Sequence, residues 1–100
     1  MIVEERCYVL HATATVNDFL EVFRREGLAI QQETLGGLIG YFTTEVGELN
    51  AIVSLWEYPS FDERLRRREA LAANPAWQRY LKQVRPMISS MSNRLMNRAI

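Results

Sequence analysis

The stretch Gly36–Tyr58 constrains the fold more than any other part of the chain. Leu38–Thr44 and Ala51–Tyr58 are two runs rich in β-branched and aromatic residues, joined by a polar connection holding Gly47 and Asn50. Such a pair reads as a β-hairpin with a loop longer than two residues. A lone hairpin is marginal in water, so other segments must cover it. Gly36, Gly37 and Gly40 predict a bulge or a close backbone approach in its first strand.

The remaining segments supply that cover. Ile2–Leu10 predicts a strand with neither face cleanly polar, so both are expected to be covered. His11–Thr15 is a polar turn, and Thr15 with Asp18 three residues on predicts a helix start. Val16, Phe19, Leu20 and Phe23 recur at helical spacing, and Gly27 predicts the left-handed cap that stops this helix. Leu28 to Leu35 then reads as a connector or an irregular strand start.

After the hairpin, Ser60 and Glu63 form a capping-box signal. The helix they open carries a thin apolar stripe, Phe61, Leu65 and Ala72, and a solvated run from Arg64 to Glu69. Asn74-Pro75 starts another helix. Its Trp77, Tyr80, Leu81 and Val84 make the cleanest amphipathic stripe in the chain. Pro86 ends it, and Met87–Met96 predicts the last strand.

The order strand, helix, strand, strand, helix, strand is the split βαβ, or ferredoxin-like, arrangement. The fold class is therefore α+β with an antiparallel sheet, in one domain over residues 1–100. Helices cover one face of such a sheet, and nothing in the chain covers the other. With Val53 and Leu55 placed against the helices, Ile52, Trp56 and Tyr58 fall on the bare face. Two bare aromatics, in a short chain that is 48% hydrophobic, predict an isologous homodimer through that open face.

Charge and composition exclude several function classes. Twelve basic and twelve acidic residues leave no global field to draw nucleic acid. The Arg64, Arg66, Arg67, Arg68 cluster interleaves with Glu63 and Glu69, as a helix with i,i+4 pairs does. Cys7 is the single cysteine, which rules out an intrachain disulfide and fits a reducing, cytoplasmic setting. The acidic N-terminus is neither signal nor transit peptide, and no apolar run approaches the roughly 20 residues that span a bilayer. His11, the one histidine, lacks a clustered second ligand, so no metal and no cofactor is expected. Cys7 has no His, Asn or Asp partner that would make it a nucleophile, and reads as a buried structural thiol.

One constellation can bind a ligand. Arg6 and Tyr8 share a strand face, as do Ser54 and Trp56, because side chains two apart point the same way. With Tyr41 from the neighbouring strand, these five are expected to line one cavity on the barrel face of the sheet. Aromatic walls around one guanidinium suit a small apolar or aromatic compound bearing an anionic or carbonyl group. The competing reading is a packed dimer core in which Arg6 pairs with Glu4 or another carboxylate. Neither reading specifies a reaction.

With the segments placed, the chain resembles the NIPSNAP family of the dimeric α+β barrel superfamily. The residues that carry this are Glu5-Arg6 with Tyr8, Gly40-Tyr41-Phe42-Thr43-Thr44-Glu45, Gly47, Leu49-Asn50 and Leu55-Trp56 with Tyr58. Arg64, Asn74-Pro75 with Trp77 and Tyr80, and Asn93-Arg94 complete the match, which covers essentially the whole chain. The resemblance implies a ferredoxin-like fold and a homodimeric barrel. It implies no single activity, since some members are linked to vesicle transport or mitochondria. The wider superfamily includes cofactor-independent monooxygenases and haem-degrading enzymes. Many relatives carry a histidine just before the Leu-Trp pair. Here that residue is Ser54, which cannot titrate near neutral pH as histidine does. A non-enzymatic interaction or scaffold module is the alternative to a ligand-binding barrel.

Overall fold

A computed structural model describes residues 1–100. Four strands, β1 (Ile2–Leu10), β2 (Leu38–Thr43), β3 (Ala51–Tyr58) and β4 (Ile88–Asn97), form one sheet in the order β2-β3-β1-β4. Every neighbouring pair is antiparallel. Helices α1 (Val16–Val22), α2 (Leu28–Leu35), α3 (Phe61–Ala72) and α4 (Pro75–Val84) pack on one face. This is the ferredoxin-like α+β arrangement the sequence predicts.

Local signals act where they were read. The Thr15 hydroxyl accepts from the Asp18 amide at 3.0 Å, and the Ser60 hydroxyl from the Glu63 amide at 3.1 Å. Asn74 Oδ1 accepts from the amides of Ala76 and Trp77. The pairing register shifts between Leu38 and Gly40, which makes Ile39 the bulged residue of β2. Asn50, in the β2–β3 connection, donates through Nδ2 to the carbonyls of Leu10, His11 and Ala14, tying that loop to the end of β1.

The expected helix stop at Gly27 does not occur. A π-helical turn, Phe23–Gly27, joins α1 to α2, and the backbone stays right-handed through Gly27, so Leu28–Leu35 is helix rather than connector. Gly27 serves packing instead: a Cβ there would stand 2.9 Å from the Tyr80 ring of α4. The rod ends at Gly36 and Gly37, whose φ values of 62° and 61° only glycine adopts freely. At Gly37 a side chain would also collide with the Glu57 carbonyl at 2.1 Å. Gly27→Ala should therefore destabilise the protein by about 1–3 kcal/mol through overpacking against Tyr80. An exposed helical glycine would give the opposite sign, a gain of about 0.4–1 kcal/mol, so urea denaturation decides between the two.

The faces of two elements are the reverse of expectation. Ile52, Ser54, Trp56 and Tyr58 are buried beneath the helices, while Val53 and Leu55 lie half-buried on the open face with Val3, Cys7 and Val9. β3 is apolar in both phases of its alternation, so period alone cannot choose its inner face. The helix side takes the larger aromatics, and the open face keeps the branched aliphatics. Cys7, half-buried there, is less enclosed than a core thiol.

On α3, Phe61 and Leu65 are 49% and 45% exposed, and Leu71 is the buried residue. Arg64 and Arg67 turn inward, correcting the reading of a wholly solvated charge run. Arg64 meets Glu4, and Arg67 donates to the Leu35 carbonyl at the end of α2. The cores of Trp77, Tyr80 and Val84 on α4 and of Phe19 and Phe23 on the first rod close over the sheet.

Candidate functional site

Glu4, Arg6 and Tyr8 alternate along β1, so all three point to the helices. Glu4 is fully buried, yet its carboxylate receives four hydrogen bonds. Arg64 donates Nε to Oε1 at 3.2 Å and Nη2 to Oε2 at 2.7 Å, Arg6 Nη1 donates to Oε2 at 3.1 Å, and Asn93 Nδ2 donates to Oε2 at 2.8 Å. Burial alone would raise the pKa of Glu4. The donors and the two guanidiniums outweigh it and hold the carboxyl at about 2. Arg6 also donates Nε to the Tyr8 hydroxyl at 3.3 Å.

Next to this charge centre lies a cavity of about 130 Å³ between the sheet and α4. Phe19, Trp77, Tyr80 and Val84 wall it on the helix side, and Tyr8, Ile88 and Met91 on the sheet side. Arg6, Arg68 and Arg85 are its charged groups, and no histidine, cysteine or carboxylate lines it. An outer groove of about 410 Å³ runs between α3 and α4, with Lys82 on its rim. The two spaces share a wall of Arg68, Trp77, Leu81 and Arg85.

The five residues read from sequence are all brought to the helix-covered face, not to the open face of the sheet. Only Arg6 and Tyr8 of the five line the cavity; Tyr41, Ser54 and Trp56 do not reach it. Ser54 and Trp56 stand beside them in the sheet, both buried, the indole Nε1 donating to the Ser54 hydroxyl at 3.0 Å. Tyr41 stacks edge-on to Trp56 with ring centres 6.1 Å apart and donates its hydroxyl to the buried Gln31. Burial, with Tyr8 nearby, pushes the Tyr41 phenol well above its ordinary range. Its outer edge opens to a second groove of about 250 Å³ beside Leu20, Phe23 and Leu38. Arg6 is thus committed to Glu4, as the competing reading held, but inside one chain rather than across a dimer core.

The sequence places Arg68 on a solvated helix face and Trp77 in an apolar stripe, and it does not single out Arg85. Nothing in their local spacing marks a cavity, because three elements converge to make it. His11 is exposed, away from the cavity, and no three His, Cys, Asp or Glu side chains cluster to hold a metal ion.

The NIPSNAP family model matches residues 3–99 of this chain. A NipSnap homolog of Dictyostelium discoideum is 38% identical over 56 residues, 56% of this chain and 25% of that protein. A Caenorhabditis elegans relative is 29% identical over 91 residues, so the chain spans 25% and 17% of the curated relatives it matches. Among solved structures, a NIPSNAP family protein of unknown function from Agrobacterium tumefaciens is 39% identical with a TM-score of 0.94, covering 99% of this chain and 88% of that one. An uncharacterised NIPSNAP-like domain protein from Burkholderia xenovorans is 44% identical with a TM-score of 0.92, covering 97% and 84%. A cofactor-independent oxygenase of Streptomyces nogalater is 14% identical with a TM-score of 0.61, covering 99% of this chain and 93% of that one, a likeness of fold alone.

Proposed function

The chain belongs to the NIPSNAP family, and on that premise we propose that it is a homodimeric α+β barrel protein that binds a small apolar or aromatic compound between its sheet and its helices. The observation that carries this reading is the cavity of about 130 Å³ walled by Phe19, Trp77, Tyr80 and Tyr8. Concave, mostly apolar space with a few convergent polar groups is what small-molecule sites look like. Arg6, Arg68 and Arg85 supply the polar groups of the cavity, and Ser54 and Trp56 stand beside Arg6 and Tyr8 on the same face of the sheet. A panel of one-ring compounds should raise the melting temperature of the native protein. Met91→Trp, which plugs the cavity from β4, should abolish those shifts. No shift with any compound overturns the ligand-binding reading.

The dimer is supported by the open face, where Val3, Val9, Val53 and Leu55 have no cover within the chain and Phe42 is 50% exposed. Sedimentation at micromolar concentration should give about twice the 11.6 kDa of one chain. Leu55→Glu should return it to one chain, since it would bury an unpaired charge in the contact. A native protein that sediments as one chain sinks the dimer. The unpaired Cys7 supports a reducing, cytoplasmic setting.

A second reading, a non-enzymatic interaction module, is favoured by Phe61 and Leu65. These lie one turn apart on the outer side of α3, and both are close to half exposed.

A further inference from the structure

We infer that the occupant of the cavity is a single-ring aromatic carboxylate, held with its ring against Tyr8 and α4 and its carboxylate on Arg68 and Arg85. This deepens the ligand-binding reading and rests on it. Volume sets the ring: about 130 Å³ is close to the roughly 150 Å³ cavity that accepts benzene in a protein core.

The charge of the ligand follows from which guanidiniums are free. Arg6 is not, because Glu4 and Tyr8 already accept from it. Arg68 has no anionic partner. Its buried Nη1 meets only the neutral Tyr58 hydroxyl, and it makes no ion pair. A guanidinium at a cavity wall with nothing but a neutral hydroxyl beside it offers its remaining donors to a carboxylate.

The sequence explains why none is supplied from within. Arg66 and Arg67 reach back to Glu63, but the positions three and four away from Arg68 are Arg64, Leu65, Leu71 and Ala72. Its own helix face carries no acid. Arg85, on the short turn after α4, makes no ion pair either, and shares the same wall. In a chain with twelve acidic residues, none lines the inner cavity or the outer groove, while Arg6, Arg68, Lys82 and Arg85 all do. Planar guanidiniums match a planar carboxylate through paired N–H donors. At the shared wall that carboxylate keeps one side toward the wet groove, so it need not be fully desolvated.

The test is a calorimetric and amide-shift titration of the native protein with sodium benzoate, benzyl alcohol and acetate. Benzoate should bind, and about tenfold or more tighter than either of the others, because each lacks one of the two recognised parts. Added salt should weaken benzoate but not benzyl alcohol. Arg68→Gln should lower benzoate affinity by about tenfold or more and leave benzyl alcohol unchanged. Equal binding of benzoate and benzyl alcohol overturns the carboxylate assignment while leaving the ring cavity standing. Equal binding of benzoate and acetate overturns the ring. Binding of none overturns both this inference and the reading it rests on. If Arg68→Gln loses its folded circular dichroism, Arg85→Gln and the benzoate to benzyl alcohol ratio on the native protein decide the matter.

Discussion

Glu4→Ala is expected to lower the unfolding free energy by about 3–5 kcal/mol, the cost of stranding buried charge by removing its partner. The carboxylate is the common acceptor for Arg64, Arg6 and Asn93, and the side chains of Arg64 and Arg6 are only 13% and 16% exposed. Without it, two cations remain where water reaches poorly. The loss is therefore one of stranded cations more than of a missing bond. Converting Arg6 and Arg64 to leucine alongside Glu4→Ala should recover much of it, since an apolar replacement of a whole buried ion group is often close to neutral. Urea denaturation of the three proteins measures both effects. A single variant that loses less than about 1 kcal/mol would show that the centre is wetter than its geometry.

The same carboxylate sets an acid limit. Its folded pKa is about 2 against an ordinary 4.5. A depressed carboxyl stabilises the fold above the unfolded value and loses that contribution as pH falls. Stability from Glu4 should be complete above about pH 5 and should drain away toward pH 2, by about 3 kcal/mol in all. In Glu4→Ala that acid limb should flatten. An unchanged limb would assign acid sensitivity to other carboxylates.

Trp77→Ala should cost about 3 kcal/mol, the lower part of the range for deleting a large core aromatic. Trp77 is 7% exposed and stacks on Tyr80 with ring centres 4.8 Å apart. Its other edge stands between the cavity and the outer groove. Removing it merges two spaces that water can then enter, so the void is partly relieved. Denaturation with the loss below about 1 kcal/mol would mean that Trp77 does not hold α4 to the sheet. The merged space should also admit two-ring compounds that the native cavity excludes, which thermal shift reads directly.

The features legible in the sequence are those whose cause lies within a few residues. Thr15, Ser60 and Asn74 cap helices because a side-chain oxygen reaches an amide two or three residues on. Trp77, Tyr80 and Val84 form a stripe because helical spacing puts them there. What was not legible has causes elsewhere in the chain. Gly27 carries the residue type of a helix stop, but it is a glycine because Tyr80, over fifty positions later, lies on it. Arg64 faces inward because Glu4 waits on the first strand. β3 could be turned either way, and the choice of Trp56 over Leu55 for the core placed Arg6, Tyr8, Tyr41 and Ser54 on the helix side together. Parity grouped those residues correctly, and only packing could say which group was inside.

The position of β1 in the sheet has a kinetic consequence. It lies between β3 and β4, the last two strands to be synthesised, and Glu4 is bonded to residues 60 and 89 positions away. Few of its interactions can form early, because closing such long loops costs entropy before any contact rewards it. A chain leaving the ribosome would hold its first strand unpaired until β3 emerges, and would complete the sheet only when β4 follows. The capped helices are the parts able to form ahead of it, so the order of assembly should run from the periphery of the sheet's cover to its centre, with the Glu4 cluster among the last contacts made.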